Sequence, residues 1–372
     1  MKHITHRGFI VGLFILALVL SAGVLAACGG RDTSTTTPSS STTSSASAST
    51  SGVKVTTVAV ITPEKGNDYG WNQMGVTCAK AAAAAVGAQC IVQDGAGYGD
   101  ITPILNQLAA QKPQLVFAWA SGYNTVAPNL AQQLGIAVTS ADPGTETANV
   151  PNYVNAIEEN AQNGAYLAGV LAANMTKTNT VAIVASADDL NWAKMSGGYI
   201  AGARSVTPKI KILYVQIGQA GYADAAGGKR VTQAAISGGA DIIFGMGDGS
   251  SFGMMQAVET ATPPAGADKV YFIDVIGDKS SLDKKHIYLS SVVWDFTQID
   301  TQLIKDIQDG TFGQKSIYLD LNNGLGLLKT DLIPADVWTK VDTAKQGVMD
   351  GSIKVPLTTS AKAVKAMIAS GR

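Results

Sequence analysis

The segment 66–73, Gly-Asn-Asp-Tyr-Gly-Trp-Asn-Gln, concentrates the groups that a binding loop needs. Asp68 accepts hydrogen bonds, Asn72 and Gln73 donate and accept them, and the Trp71 indole offers a flat face on which a ring can stack. No nucleophile stands beside a base, so the chemistry on offer is capture and not turnover. The alternative is a solvated loop whose Trp71 packs on the helix that follows. Further carboxylates and rings recur where later strands run into turns: Asp142 before Pro143, Tyr222 in Gly-Tyr-Ala-Asp, Asp248 in the turn 245–249, Asp278 after Ile276-Gly277, and Trp294. Asp142 and Asp278 could equally form turns, and Trp192 and Trp294 could be packing residues.

Composition removes several chemistries. Of three histidines, His3 and His6 lie in an N-terminal segment read below as removed, which leaves His286 for any base or metal site. It follows Lys284 and Lys285, where an exposed turn suits it better. No enzyme activity, metal or cofactor is therefore expected. Beyond residue 53, arginine is confined to Arg204, Arg230 and Arg372, whereas carboxylate and phosphate binders clamp their ligands with arginine forks. A neutral ligand with a ring and hydroxyls suits tryptophan and aspartate better. Each stack is worth about 1 kcal/mol beyond area burial, and each hydroxyl on an ionised carboxylate about 1.5 to 3 kcal/mol. A formal net charge of −1 with no basic cluster argues against nucleic acid. The turn Gly-Met-Gly-Asp-Gly at 245–249 lacks the Gly-x-Gly-x-x-Gly spacing of a dinucleotide site and reads as a tight strand-to-helix turn.

These residues must be positioned by a body that begins near residue 54. Lys2, His3, His6 and Arg7 precede an apolar run that ends in Leu-Ala-Ala-Cys, which reads as an export signal over 1–27. Leu25 to Cys28 resembles a bacterial lipobox, which implies that Cys28 carries acyl chains and holds the protein at a membrane surface. An uncleaved membrane anchor is the alternative. Residues 28–53 are dominated by serine and threonine and form a tether with a reach of about 25 to 30 Å. Cys78 and Cys90 fall mid-helix and at a strand start, a spacing that favours two free thiols over a disulfide.

From residue 55 onward, short β-branched runs alternate with helical segments, the pattern of a parallel α/β fold. The pattern occurs twice. Val58-Ala59-Val60-Ile61 is echoed by Val181-Ala182-Ile183-Val184, and Leu115-Val116-Phe117-Ala118 by Ile242-Ile243-Phe244-Gly245. Two similar parallel-sheet lobes with a ligand cleft between them follow: 54–158 plus 289–312 as lobe 1, and 159–288 plus 313–372 as lobe 2. The chain would cross between lobes more than once, as suits hinge closure on a ligand.

The segment 164–173, Gly-Ala-Tyr-Leu-Ala-Gly-Val-Leu-Ala-Ala, followed by Met175-Thr176-Lys177-Thr178, resembles the basic membrane protein family, substrate-binding lipoproteins of ABC transporters typified by purine nucleoside receptors. Residues 68–73 are similar to that family's Asp-Lys-Ser-Phe-Asn-Gln motif, with Trp71 as its aromatic residue. Ala201-Gly202-Ala203, Gly239-Ala240-Asp241 and Ile353-Lys354-Val355-Pro356 extend the likeness over nearly all of the chain after residue 53. The resemblance implies a type I periplasmic-binding-protein fold and a monomeric receptor that delivers a nucleoside-like solute to an ABC permease. It implies that Trp71 stacks on the base with Asp68 and Asn72 as polar neighbours, that Asp142 and Tyr222 meet the ligand, and that Asp278 accepts from ribose hydroxyls. Two departures stand out. Trp294 follows Ser291-Val292-Val293 where the family has a lysine, and Asp248 stands where it has small neutral residues. A sensor of the same fold and an exported enzyme are the competing functions.

Overall fold

A computed structural model describes residues 53–141 and 149–371. The expected signal, the lipidated Cys28, the tether and Asp142 lie outside these described residues. In the first half, β1 (Thr57–Ile61), α1 (Trp71–Ala85), β2 (Gln89–Gln93), α2 (Thr102–Ala109), β3 (Leu115–Ala118), α3 (Val126–Leu134), β4 (Ala137–Ala141) and β5 (Val154–Glu159) alternate. The second half repeats the scheme with α4 (Ala161–Met175), β6 (Thr180–Ala185), α5 (Leu190–Val206), β7 (Lys211–Gln216), α6 (Ala225–Ser237), β8 (Ile242–Met246), α7 (Ser250–Glu259), β9 (Tyr271–Ile276) and β10 (Tyr288–Trp294). It closes with α8 (Thr297–Asp309), β11 (Ile317–Leu319), β12 (Leu325–Leu327), α9 (Ala335–Met349) and α10 (Ala361–Ser370).

Two sheets result, in the orders β11-β5-β4-β3-β1-β2 and β12-β10-β9-β8-β6-β7. The sequence echo survives as register: Val58 pairs with Leu115 in the first sheet and Val181 with Ile242 in the second. Every strand pair is parallel except β10 with β12. Parallel strands are covered on both faces, and the central ones accordingly consist of buried apolar residues such as Val58, Val60, Ile183 and Phe244.

The expected lobe boundaries need correction. Residues 289–294 do not belong with the first sheet, because β10 runs parallel to β9 with Ser291 opposite Asp274. Only a short turn and a 3₁₀ segment, Ser280–Leu282, separate β9 from β10, so the chain stays on the same sheet. Conversely β11, expected in the second lobe, pairs with β5 of the first. The chain thus passes between sheets after β5, after β10 and after β11.

Small residues set the closest packing. On α4 and α5, a methyl group added at Gly169, Gly198 or Gly202 would collide with the main-chain oxygens of Tyr199, Gln162 and Tyr166 respectively. The family-like Gly-Ala-Tyr-Leu-Ala-Gly segment is therefore a helix-crossing surface, and its conspicuous glycines serve packing. Cys78 and Cys90 are free thiols, as the spacing favours, and burial pushes them up to about 12 and about 11.

Candidate functional site

The loop ahead of α1 is tied together by its own side chains. Asp68 Oδ1 accepts from the main-chain N–H groups of Gly70 and Gln73, at 3.0 and 2.9 Å. Its Oδ2 accepts from the main chain and side chain of Asn72, at 3.2 and 2.7 Å. Asn72 Oδ1 accepts in turn from the Glu64 N–H, and Gln73 Oε1 from the Tyr69 N–H. Asp68 and Asn72, expected to touch the ligand, are buried: Asp68 spends its oxygens on N–H groups at the start of α1 that no carbonyl can reach, and Asn72 spends its amide on Asp68 and the Glu64 N–H. They hold Trp71 in place.

Trp71 and Trp119 clasp each other. Each indole N–H donates to the other's main-chain oxygen, at 3.0 and 2.9 Å, and their rings stack at 4.7 Å and 22°. Trp294 and Phe296 meet Trp71 edge-on at 6.1 and 6.0 Å. Gly75 permits this, since a side chain there would strike the Trp119 ring.

Beside these rings lies a cavity of about 210 Å³. From the first lobe it is lined by Pro63, Trp71, Tyr98 and 120–122, and from the second by Asp189, Asn191, Trp192, Tyr222, Asp248, Ile276 and Trp294. These residues follow the carboxyl ends of β1, β2 and β3 in one sheet and of β6 to β10 in the other, where open α/β sheets bind ligands. The volume accommodates a ring with substituents, comparable to the roughly 150 Å³ cavity that holds benzene in another protein. Tyr98 and Tyr222 face each other across the cleft at 6.4 Å and 17°. The Tyr222 hydroxyl donates to Asp189 Oδ2, whose Oδ1 accepts from Asn191 and Trp192 at the start of α5.

Asp248 bridges the lobes by accepting from the Trp71 N–H at 3.1 Å. Burial, reinforced by Asp68, raises its carboxyl from 3.8 to about 8, against the opposing pull of the Trp71 N–H and Lys279.

Of the expected site residues, the cavity gathers Trp71, Tyr222, Asp248 and Trp294. It omits Asp278, which is exposed and accepts from the Ser280 N–H as a turn former. Its place is taken by Ile276, a β-branched residue held at φ 66° on the cavity wall. Tyr98, Asp189 and Asn191 were not expected. Asp189 carried a signal nonetheless, as a helix N-cap directly after a strand pattern.

The family model described as ABC transporter substrate-binding protein PnrA-like, Bmp, matches residues 55–358. The chain belongs to this family. Members are substrate-binding proteins, so this is a binding protein and not an enzyme. Within the family it is similar to the ABC transporter nucleoside-binding protein BmpA of Lactococcus lactis subsp. cremoris, 27% identical over 93% of this chain and 98% of that protein. Its fold matches a solute-binding protein of an ABC transporter system from Aeropyrum pernix K1, with TM-score 0.71 and 19% identity over 85% of this chain and 98% of that one. A second, from Conexibacter woesei DSM 14684, gives TM-score 0.66 and 19% identity over 82% of this chain and 100% of the other. No described helix of this Bmp-family protein is long and apolar enough to cross a membrane.

Proposed function

We propose that the protein is the lipid-anchored, extracytoplasmic receptor of an ABC importer and that it captures a nucleoside-class solute by closing two lobes around it. One observation carries this reading: an aromatic cavity at the carboxyl ends of both sheets, walled on one side by Trp71 and on the other by Asp189, Tyr222 and Asp248. The stacked Trp71–Trp119 pair supports a planar ring beside it, and the carboxylates and the Asn191 amide supply acceptors for ligand hydroxyl or amino groups. The nucleoside-binding relative makes a nucleoside the first ligand to try. Cys28 carries the anchor and the tether lets the body turn above the membrane. An ABC permease receives the ligand from the closed, monomeric form.

A ligand that binds the native state alone raises its melting temperature. Thermal shifts with nucleosides, absent with pentoses and amino acids and abolished by Trp71→Ala, are the expected outcome. A shift with sugars alone would overturn the ligand class. Metabolic labelling with palmitate, lost in Cys28→Ser, tests the anchor.

A further inference from the structure

The cavity is walled by two carboxyl groups, of which Asp189 is hydrogen-bonded on both oxygens and Asp248 on one. Asp189 and Asp248 both face it, and no lysine, arginine or histidine lines it among the described residues. The nearby ammonium is already engaged: Lys279 Nζ lies 2.6 Å from Asp274 and donates to the Tyr69 oxygen. Asp248 uses only Oδ1, and its second oxygen accepts from no donor among the described residues. Five aromatic residues line the same cavity, Trp71, Tyr98, Trp192, Tyr222 and Trp294. Aromatic faces concentrate negative electrostatic potential, and desolvated aromatic cages are a recurrent device for holding cations.

Two further buried groups on the wall are unpaired among the described residues. Asn191 Oδ1 lacks a donor while its Nδ2 is committed to Glu159, and the Trp294 indole N–H lacks an acceptor. A buried polar atom without a partner is costly, but both atoms are shut off from solvent, so a ligand would reach them only after the wall side chains shift.

We propose that the ligand of this site carries a positive charge on or beside its ring, seated among the aromatic walls with the charge toward Asp248. This rests on the nucleoside-class reading and narrows it to cationic members, such as a pyridinium nucleoside bearing a carboxamide. The arrangement also specifies proton bookkeeping. Asp248 is flanked by Asp68 and Glu64, which oppose its ionisation, by Lys279, which favours it, and by the Tyr98 and Tyr222 rings. A ligand cation removes the obstacle to ionisation, so its capture at pH 7 expels a proton from Asp248, whereas a neutral ligand expels none.

The test uses the full chain in detergent micelles, with affinity read from tryptophan fluorescence and proton release from calorimetry in buffers of different ionisation enthalpy. Nicotinamide riboside is the permanently charged probe, adenosine the neutral one, and thiamine a cation that is not a nucleoside. Nicotinamide riboside is expected to bind about tenfold tighter than adenosine or better, with close to one proton released at pH 7, and Asp248→Asn is expected to collapse the ratio toward one. Should that variant misfold, the wild-type proton release alone decides. Adenosine binding as tightly as nicotinamide riboside would overturn the inference and leave the nucleoside reading standing. Thiamine binding with proton release while both nucleosides fail would do the reverse. Binding of sugars alone would overturn both.

Discussion

Lys279, in the second lobe, donates from Nζ to the main-chain oxygen of Tyr69 in the first, 3.1 Å away. Its other partner is Asp274 at 2.6 Å, and both side chains of this ion pair are fully buried. Gly277 lets the loops meet, because a methyl there would strike the same Tyr69 oxygen, and Tyr69 itself sits at φ 52°. Together with the Trp71–Asp248 contact, this ties the two lobes to each other through protein groups alone.

Removing one member of a buried pair leaves the other charged and unsolvated. Lys279→Met is expected to lower unfolding free energy by about 3 to 5 kcal/mol. Adding Asp274→Leu should recover most of the loss, since the orphaned carboxylate then disappears. Urea denaturation of the two single variants and the double variant checks the cycle; simple additivity would contradict a coupled pair.

The α4–α5 crossing reverses an ordinary preference. Gly→Ala inside a helix normally stabilises by about 1 kcal/mol. At Gly169 the new methyl meets the Tyr199 main-chain oxygen, and backbone cannot swing aside as a side chain can. Gly169→Ala is expected to destabilise by about 1 to 3 kcal/mol, measured as a lowered denaturation midpoint with an unchanged m-value.

Asp278 caps an exposed turn and does not border the cavity. Asp278→Ala should therefore leave ligand affinity within about twofold and cost no more than about 1 kcal/mol of stability. A tenfold loss of affinity in titration calorimetry would return it to the site.

The unliganded protein should lose stability as pH rises from about 4 to about 8. The ordinary Asp248 carboxyl titrates at 3.8 and the buried one at about 8, so between these values the folded state holds a proton that the unfolded state has released. Stability is then fully present below the lower value and falls by up to about 1.4 kcal/mol per pH unit until the upper one is passed. Asp274 and Asp300 are shifted the same way by burial, so the diagnostic quantity is the difference between wild type and Asp248→Asn. The variant should show a shallower decline, by about one proton, in melting temperature scanned over pH.

The two-lobe fold was legible because it is written twice, and the apolar runs that form β1, β3, β6 and β8 are long enough to survive any tertiary override. β5 was not, since Val-Asn-Ala-Ile-Glu-Glu breaks the apolar run with Asn155, Glu158 and Glu159. Asn155 is in fact buried, and its Oδ1 accepts from Gly313 N–H. Strand order was also hidden, because the partner of β10 depends on where a short turn leaves the chain and not on the composition of β10. Within the site, Trp71, Tyr222, Asp248 and Trp294 were readable, whereas Asp68, Asp278 and Asn72 were misplaced. An aspartate beside a strand end can line a cleft or serve its own loop, and sequence does not distinguish Asp248, which lines the cavity, from Asp68 and Asp278, which accept from their own loops. Tyr98 and Asp189 escaped because a cleft is assembled from the ends of separate strands whose mutual distance no local pattern encodes.

The three passages between the sheets are stitched side by side. Asn160 donates from its main chain to the Leu319 oxygen and from its side chain to Asp320, Asn163 donates to the other oxygen of Asp320, and Asp295 donates to Gly324. A single connector would let one half swivel in any direction, but three fastened in a row act as a piano hinge. In the proposed closure the lobes would swing about one line, with twist and slide resisted by these bonds. On that proposal, ligand occupancy would become a single angle, which is all that a partner resting across both halves would have to sense.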